Sequence, residues 1–138
     1  SPEMLGAVPL LIIPFILYNL GLAGLSGGIA PDPWEAEIFS MSMMSGGVWS
    51  MTLGDGLIVV ALILLFVEIV KSTRTSNVSI VDHLLSTFVF VAYLVEFLLV
   101  RNAAHSVFFT LMVIAAIDVL AGFSVSLRSA GRDLNLGN

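Results

Sequence analysis

The sequence predicts an all-α integral membrane protein: a four-helix bundle with a short amphipathic helix between its first two spans. Of its 138 residues, 58% are hydrophobic and only 11% are charged, and the mean hydropathy is +1.06. A soluble domain this small has too much surface to hide so much hydrocarbon. The apolar residues also form four runs of about 20 residues, the length that crosses the hydrocarbon core of a bilayer.

The four predicted spans are residues 4–25, 47–70, 80–100 and 106–127, and together they form a single transmembrane domain. The stretch GDGLIVVALILLFVEIVK belongs to the second span. Its uninterrupted apolar part, residues 56–67, covers only about 18 Å as a helix. We therefore expect this helix to begin upstream, within VWSMTLGD. The first span has no basic n-region and a long apolar run, so it is not expected to be a cleaved signal peptide.

Residues 26–46 are predicted to form a short helix on the outer surface of the membrane. The sequence DPWE at 32–35 offers a side-chain cap, a proline at the first helical position and a carboxylate three residues after the cap. Trp34 and Phe39 suit a membrane interface. The segment is therefore expected to lie flat on the bilayer.

Basic residues in the short loops predict that both chain termini face the cytoplasm from the inner (plasma) membrane. Loops rich in Lys and Arg stay on the cytoplasmic side. The basic residues on that side are Lys71 and Arg74 after the second span and Arg128 and Arg132 after the fourth. Arg101 lies on the other side and is the one exception. Residues 128–138 are then a cytoplasmic tail.

Charge and motifs exclude several functions. The chain has ten acids against five Lys and Arg and no basic cluster, which argues against nucleic-acid binding. It has no cysteine, no HExxH and no glycine-rich phosphate loop. We therefore expect no enzyme activity, no cofactor and no metal site. A membrane enzyme built on paired Asp55, Glu96 and Asp118 is the alternative.

Polar residues within the third and fourth spans recur at helical spacing, as expected if they face other helices and not lipid. The face predicted for the third span comprises Asp82, Ser86, Val89, Tyr93 and Glu96. In the fourth span Asp118 lies within about 3 Å of the bilayer midplane. The small residues at three- and four-residue spacing around it are Ala115, Gly122 and Ser126. Asp118 is therefore expected to point into the bundle.

The predicted site combines acids that fall in the outer half of the membrane with Asp118 near its middle. Asp118, Glu96 and Asp55 are the predicted proton- or cation-binding residues. The supporting hydrogen-bonding residues are Tyr18, Asn19 and Tyr93. The alternative for Asp118 is a neutral acid that only hydrogen-bonds a neighbouring helix.

A second polar group falls at the predicted inner edge of the membrane. Glu68 and Lys71 are three residues apart and are interpreted as an interfacial ion pair. Asp82 with His83 is interpreted as a cap at the start of the third span. Neither pair is predicted to belong to the functional site.

Two functions follow from this pattern and both stay open. The first is a transport or permeation unit in which intramembrane acids bind protons or a small cation. The second is a non-catalytic accessory or scaffold subunit that binds another membrane protein. Four helices enclose little interior, so besides the lipid bilayer we expect a homo-oligomer, most often a dimer.

Overall fold

The structure, a computed structural model, describes residues 7–22, 32–73 and 77–136. Those ranges contain a two-stranded sheet and four helices: α1 (Ile12–Leu20), β1 (Glu37–Ser42), β2 (Val48–Thr52), α2 (Leu53–Lys71), α3 (Asn77–Leu99) and α4 (Ser106–Leu136). Short 3-10 turns occupy Pro33–Glu35 and Arg101–Ala103. Within the described ranges, three helical segments are long and apolar enough to cross a membrane: Leu53–Lys71, Ile80–Leu99 and Ser106–Val125.

The predicted first span is not one continuous helix in its described part. α1 has nine residues, which cover only about 14 Å, and residues 7–11 before it form turns. Pro9 and Pro14 explain the break, because proline lacks an N–H group and restricts the residue before it. The prediction of this span rested on hydropathy and took no account of the prolines. Because α1 is too short to cross a bilayer, the four-span bundle is not confirmed. Residues 4–6 and 23–25 of this predicted span lie outside the described part.

The predicted outer helix is instead a β-hairpin. β1 and β2 pair antiparallel, with Met41 opposite Trp49 and Ser40 opposite Ser50. Hydroxyl residues alternate with large apolar residues along 39–42 and 49–52, which is the period of two that a strand requires. Gly46 in the connecting turn has a φ of +89°, a conformation that glycine adopts at little cost. The part of the predicted helix at 26–31 lies outside the described residues.

The predicted cap at Asp32 forms, but it starts only a single 3-10 turn. Its Oδ1 accepts a hydrogen bond from the Trp34 N–H at 3.0 Å. This turn places Trp34 in the protein interior, where its ring stacks on Tyr18 with centroids 4.8 Å apart. His105 Nε2 lies 2.7 Å from Asp32 Oδ2 and ties the turn to the start of α4. We call this side of the molecule the hairpin end and the opposite side the Lys71 end.

α2 begins at Leu53, later than the predicted start of the second span at residue 47, because the residues before it form β2. Thr52 and Asp55 form a capping box, in which each side chain accepts a hydrogen bond from the backbone N–H of the other at 3.1 Å. The helix then runs for 19 residues, or about 28 Å. This length still suffices to cross a bilayer.

The core lies where α1, α2, α3 and α4 meet. The predicted polar face of α3 is confirmed, with Asp82, Ser86, Val89 and Tyr93 buried and Glu96 half-buried. α4 continues to Leu136, through most of the segment predicted as a tail. The outward faces carry large apolar residues, and those that are about two-thirds exposed include Phe66, Phe88 and Leu120. Such surfaces suit contact with lipid.

Candidate functional site

Three carboxylates from three helices line one cavity towards the Lys71 end. Glu68 comes from α2, Asp82 from α3 and Asp118 from α4, and they are 2%, 6% and 5% exposed. We call these three residues the carboxylate cluster. The cavity has a volume of about 10 Å³, and its lining is completed by Ser72, His83, Ser86 and Gly122. A cavity of this volume accommodates about one water molecule.

Lys71 is the basic side chain that contacts the cluster within the described residues. Its Nζ lies 2.9 Å from Glu68 Oε1 and 3.2 Å from Asp82 Oδ1. One ammonium group balances only one of the three acids. If all three were ionised, two negative charges would therefore remain without a Lys or Arg partner among the described residues. Uncompensated buried charge is costly, and more so inside a bilayer.

Glu68 and Lys71 also bond the turns that precede α1. Glu68 Oε1 accepts from the Leu10 N–H at 2.8 Å, and Lys71 Nζ donates to the Val8 carbonyl oxygen at 2.7 Å. In hydrocarbon, non-helical backbone is tolerated only where its polar groups find partners within the protein. The pair is therefore more than the interfacial ion pair that the sequence suggested, since it is buried and satisfies the broken first span.

Among the described residues, Asp82 and Asp118 have fewer hydrogen-bond donors in contact with their carboxylates than Glu68 has. Asp82 Oδ1 is buried and makes no hydrogen bond in the described residues, although Lys71 is close. The Asp118 carboxyl lies beside the Ser86 hydroxyl and faces the charges of Glu68 and Asp82. The interpretation of Asp82 as a cap was wrong, because α3 begins at Asn77 and Asp82 lies within the helix.

Gly122 brings α4 close to the cluster. A Cβ at this position would lie 3.2 Å from His83 Nδ1 and 3.7 Å from the Ser72 Cβ. Part of the small-residue stripe around Asp118 therefore packs inside the chain, as Ala115 is also buried. The side chain of Ser126, the third member of that stripe, lies outside the described residues.

The predicted residues at the hairpin end form a second, separate group. Glu96 lies beside Asn19 and within electrostatic reach of Tyr18 and Tyr93. Its Oε2 is buried and unbonded among the described residues, and the Asn19 amide donates to the Phe15 carbonyl at 2.9 Å. Glu96 and Asp82 are 14 residues apart in α3, or about 21 Å along the helix axis. The structure therefore does not bring Glu96 to the carboxylate cluster.

The two tyrosine hydroxyls are occupied by backbone groups. Tyr18 donates to the Asn102 carbonyl and Tyr93 to the Leu11 carbonyl, each at 2.8 Å. These bonds join α1 to the end of α3 and satisfy a carbonyl in the turn before α1. Both tyrosines thus have a structural role in this arrangement, and neither contacts Asp118.

Asp55 also lies far from the carboxylate cluster. It is exposed at the first turn of α2, where its carboxylate completes the capping box. Glu68 is 13 residues further along the same helix, or about 20 Å. The structure thus separates Asp55 from Asp118.

Aromatic side chains fill the interior between the cluster and the hairpin end. Within this group, Phe15 meets Tyr93 edge to face at 5.0 Å between centroids, and Phe108 lies 4.8 Å from Tyr18 and 5.3 Å from Tyr93. Together with Trp34 they form what we call the aromatic layer. Tyr18, Tyr93 and Phe108 are completely buried. The layer therefore closes the bundle on that side of the cluster.

Neither metal geometry nor relatives assign a function. Among the described residues, no group of three or more His, Cys, Asp or Glu side chains is arranged to hold a metal ion. Comparison with protein-family models, with curated proteins and with solved structures finds no match to this chain. The carboxylate cluster is thus the feature from which a function is to be inferred.

Sequence reasoning selected Asp118 correctly as an inward-facing acid but missed its partners. Glu68, Lys71 and Asp82 all fall at the same predicted depth, and Asp82 shares the polar face of α3. Their shared depth was the sequence signal that these residues meet. The sequence does not say which helices are neighbours, because helical periodicity defines a face of a helix but not what that face contacts.

Proposed function

We propose that this chain is a small, non-catalytic integral membrane protein that binds protons or a small cation at the carboxylate cluster as part of transport or permeation. One observation carries the proposal: buried acids from three apolar helices converge on one cavity, and Lys71 is the one Lys or Arg paired with them among the described residues. Ionisable residues at such depth are expensive and commonly mark ion pathways. The bound positive charge would offset that cost.

Access to the cluster is expected from the Lys71 end. The aromatic layer blocks the opposite direction, so passage across the membrane requires that layer to rearrange. Transporters use such changes to expose one fixed site to each side in turn. We therefore expect the protein to work as a gated unit and not as an open pore.

The orientation proposed from the basic loops places the Lys71 end and both termini at the cytoplasmic face of the plasma membrane. Lys71 then lies on the side where Lys and Arg concentrate. In this orientation the cluster exchanges its ion with the cytoplasm, and the hairpin lies outside.

Reconstitution into lipid vesicles tests the proposed function. Asp118→Asn keeps the size of the side chain but removes its charge and its capacity to exchange a proton. We expect it to lower proton or cation flux at least tenfold relative to the parent chain. Glu37→Gln, which makes the same chemical change at an exposed residue of β1, should leave the flux unchanged. Absence of flux in the parent, or equal flux in Asp118→Asn, contradicts the proposal.

An accessory subunit is the second candidate, and the exposed hairpin favours it. Cross-strand neighbours Phe39 and Met51, and Met41 and Trp49, project from the same face of the sheet. Phe39, Met41 and Trp49 are 40%, 54% and 43% exposed. A larger membrane complex would cover this face. Extraction in a mild detergent followed by native mass measurement distinguishes the candidates, since a stable heteromer supports the accessory role.

Homo-oligomerisation remains a prediction from chain size. The cavity itself is built by α2, α3 and α4 of one chain, so the site does not require a second copy. The same native mass measurement gives the copy number.

A further inference from the structure

We propose that the species exchanged at the carboxylate cluster is a proton carried by Asp118, and not a metal cation. This inference rests on the proposed function and specifies its ligand. It follows from what already occupies the cluster, from the size of the cavity and from the unequal bonding of the three acids.

Lys71 already serves as the bound cation of the cluster. Its ammonium group lies between Glu68 and Asp82, at 2.9 and 3.2 Å from their nearest oxygens. A metal ion in the same small cavity would face that positive charge at close range, where little solvent screens the repulsion. A proton added to a carboxylate produces a neutral acid and meets no such repulsion.

The described lining of the cavity also lacks a suitable ligand set for a metal ion. Hard cations require about six oxygen ligands in a defined shell, or a ring of carbonyls that replaces their water. A volume of about 10 Å³ corresponds to roughly one water molecule. The described side chains offer no set of three acidic or histidine ligands suitable for a metal. The cavity therefore suits a proton and a single water molecule that passes it on.

The bonding of the acids identifies which one carries the proton. Glu68 accepts hydrogen bonds from the Leu10 N–H and from Lys71, so its Oε1 is already occupied by two donors. Asp82 has Lys71 beside it. Asp118 faces Glu68 and Lys71 from α2 and Asp82 and His83 from α3, and it makes no direct ion pair within the described part of the chain. Protonation of Asp118 adds one H⁺ to a carboxylate oxygen, removes one negative charge and leaves the Lys71 bonds intact.

A buried oxygen of Asp82 provides a neighbouring acceptor. Asp82 Oδ1 is enclosed and lies 3.2 Å from Lys71 Nζ, but it makes no well-aligned hydrogen bond among the described residues. A protonated Asp118 would donate into the cavity towards this oxygen, either directly or through one water molecule. Ser86, beside Asp118, positions the donating carboxyl group.

Infrared titration of the purified full chain in an ester-free detergent tests the inference by a binding readout. A protonated carboxyl group gives its own C=O band. We expect one such band at neutral pH that disappears in Asp118→Asn, persists in Glu37→Gln and shifts in frequency in Ser86→Ala, which removes the neighbouring hydroxyl. Sodium, potassium and magnesium ions should leave it unchanged.

Each alternative result has a distinct meaning. Loss of the band on addition of any of these cations, or its absence at neutral pH in the parent chain, overturns the assignment of a proton to Asp118. Metal-ion flux that depends on Asp118 would overturn this inference but preserve the proposed function. A cation-insensitive Asp118 band in a chain without any flux would support proton binding and contradict transport.

Discussion

At the scale of single residues, environment gives chemically similar acids different roles. Asp55 caps a helix at the surface, Glu68 bonds backbone and ammonium groups, and Asp118 lies in the cavity beside a hydroxyl. The carboxyl group is the same in each case. What differs is the number of donors that reach it and the solvent that surrounds it. The carboxylate that faces the cluster without a fixed cation is the one suited to exchange a proton.

Replacement of Lys71 should lower the stability of the fold, because its ammonium group pairs with two buried acids. Lys71→Met removes the ammonium group that pairs with Glu68 and Asp82 and also the donor to the Val8 carbonyl. Breaking a buried pair on one side costs roughly 3–5 kcal/mol, so we expect a loss of that order in the free energy of unfolding in detergent. The loss should shrink at low pH, because protonation neutralises the abandoned acids.

Two variants provide the comparison for Lys71. The double variant Lys71→Met, Glu68→Gln should recover part of the stability, since it removes one unpaired charge. Arg101→Met, which removes an exposed cation at the hairpin end, should stay within about 0.5 kcal/mol of the parent. Equal losses for Lys71→Met and Arg101→Met would show that the buried pairing has no energetic importance.

At the scale of elements, local sequence signals determined where helices begin and end. Prolines shorten α1, the Thr52–Asp55 capping box starts α2, and His105 Nδ1 accepts from the Val107 N–H to start α4. The hydropathy pattern predicted the lengths of the long apolar helices well, but it does not report the caps and prolines at which helices begin or end. The alternation of serine with apolar residues in β1 likewise signalled a strand, although a cap motif nearby favoured a helix.

The start of α2 packs closely against Val107 of α4 and against Trp34. A Cβ on Gly54 would lie 2.7 Å from Val107 Cγ2 and 3.0 Å from the Trp34 carbonyl oxygen. Because backbone and a branched side chain cannot easily yield, Gly54→Ala should lower the free energy of unfolding by about 1–3 kcal/mol.

Gly56→Ala is the matched control, two residues further along the same helix. Its Cβ would meet only the Ile38 Cδ1 atom at 3.3 Å, which is the end of a flexible side chain. Alanine also favours a helix over glycine by roughly 1 kcal/mol. We therefore expect a neutral or stabilising effect in thermal unfolding. A destabilisation equal to that of Gly54→Ala would contradict this packing of α2 against Trp34 and α4.

At the scale of the whole molecule, polar and aromatic groups divide the interior into two regions. The carboxylate cluster lies towards the Lys71 end, and the aromatic layer lies between it and the hairpin. Three apolar helices surround both regions and expose hydrocarbon outward. A site that is closed on one side and charged within suits controlled exchange with a single face of the membrane.

The proposed orientation is testable because the chain has no cysteine. Ser45→Cys introduces a thiol in the exposed hairpin turn, and Thr73→Cys introduces one in the exposed residues after α2. In intact cells, a membrane-impermeant maleimide should label the first variant only. Thr73→Cys should react after the membrane is permeabilised. Labelling of Thr73→Cys in intact cells would reverse the orientation.

Composition and periodicity by themselves determined the membrane character, the three long apolar helices, the polar face of α3 and the inward direction of Asp118. These properties depend on the transfer of side chains into hydrocarbon and on the repeat of the helix, and both are local in the chain. The same reasoning expected Asp118, Glu96 and Asp55 to share one cavity. No property read along a single helix tests that expectation.

Only the tertiary structure decided which acids meet. Glu68 lies 50 residues before Asp118 in the chain, and their proximity follows from how α2 and α4 pack. The break before α1 and its bonds to Glu68 and Lys71 have the same origin, since unsatisfied backbone groups must find partners from distant segments. Packing of this kind is decided by the sum of many non-local contacts, which a reading along one helix does not contain.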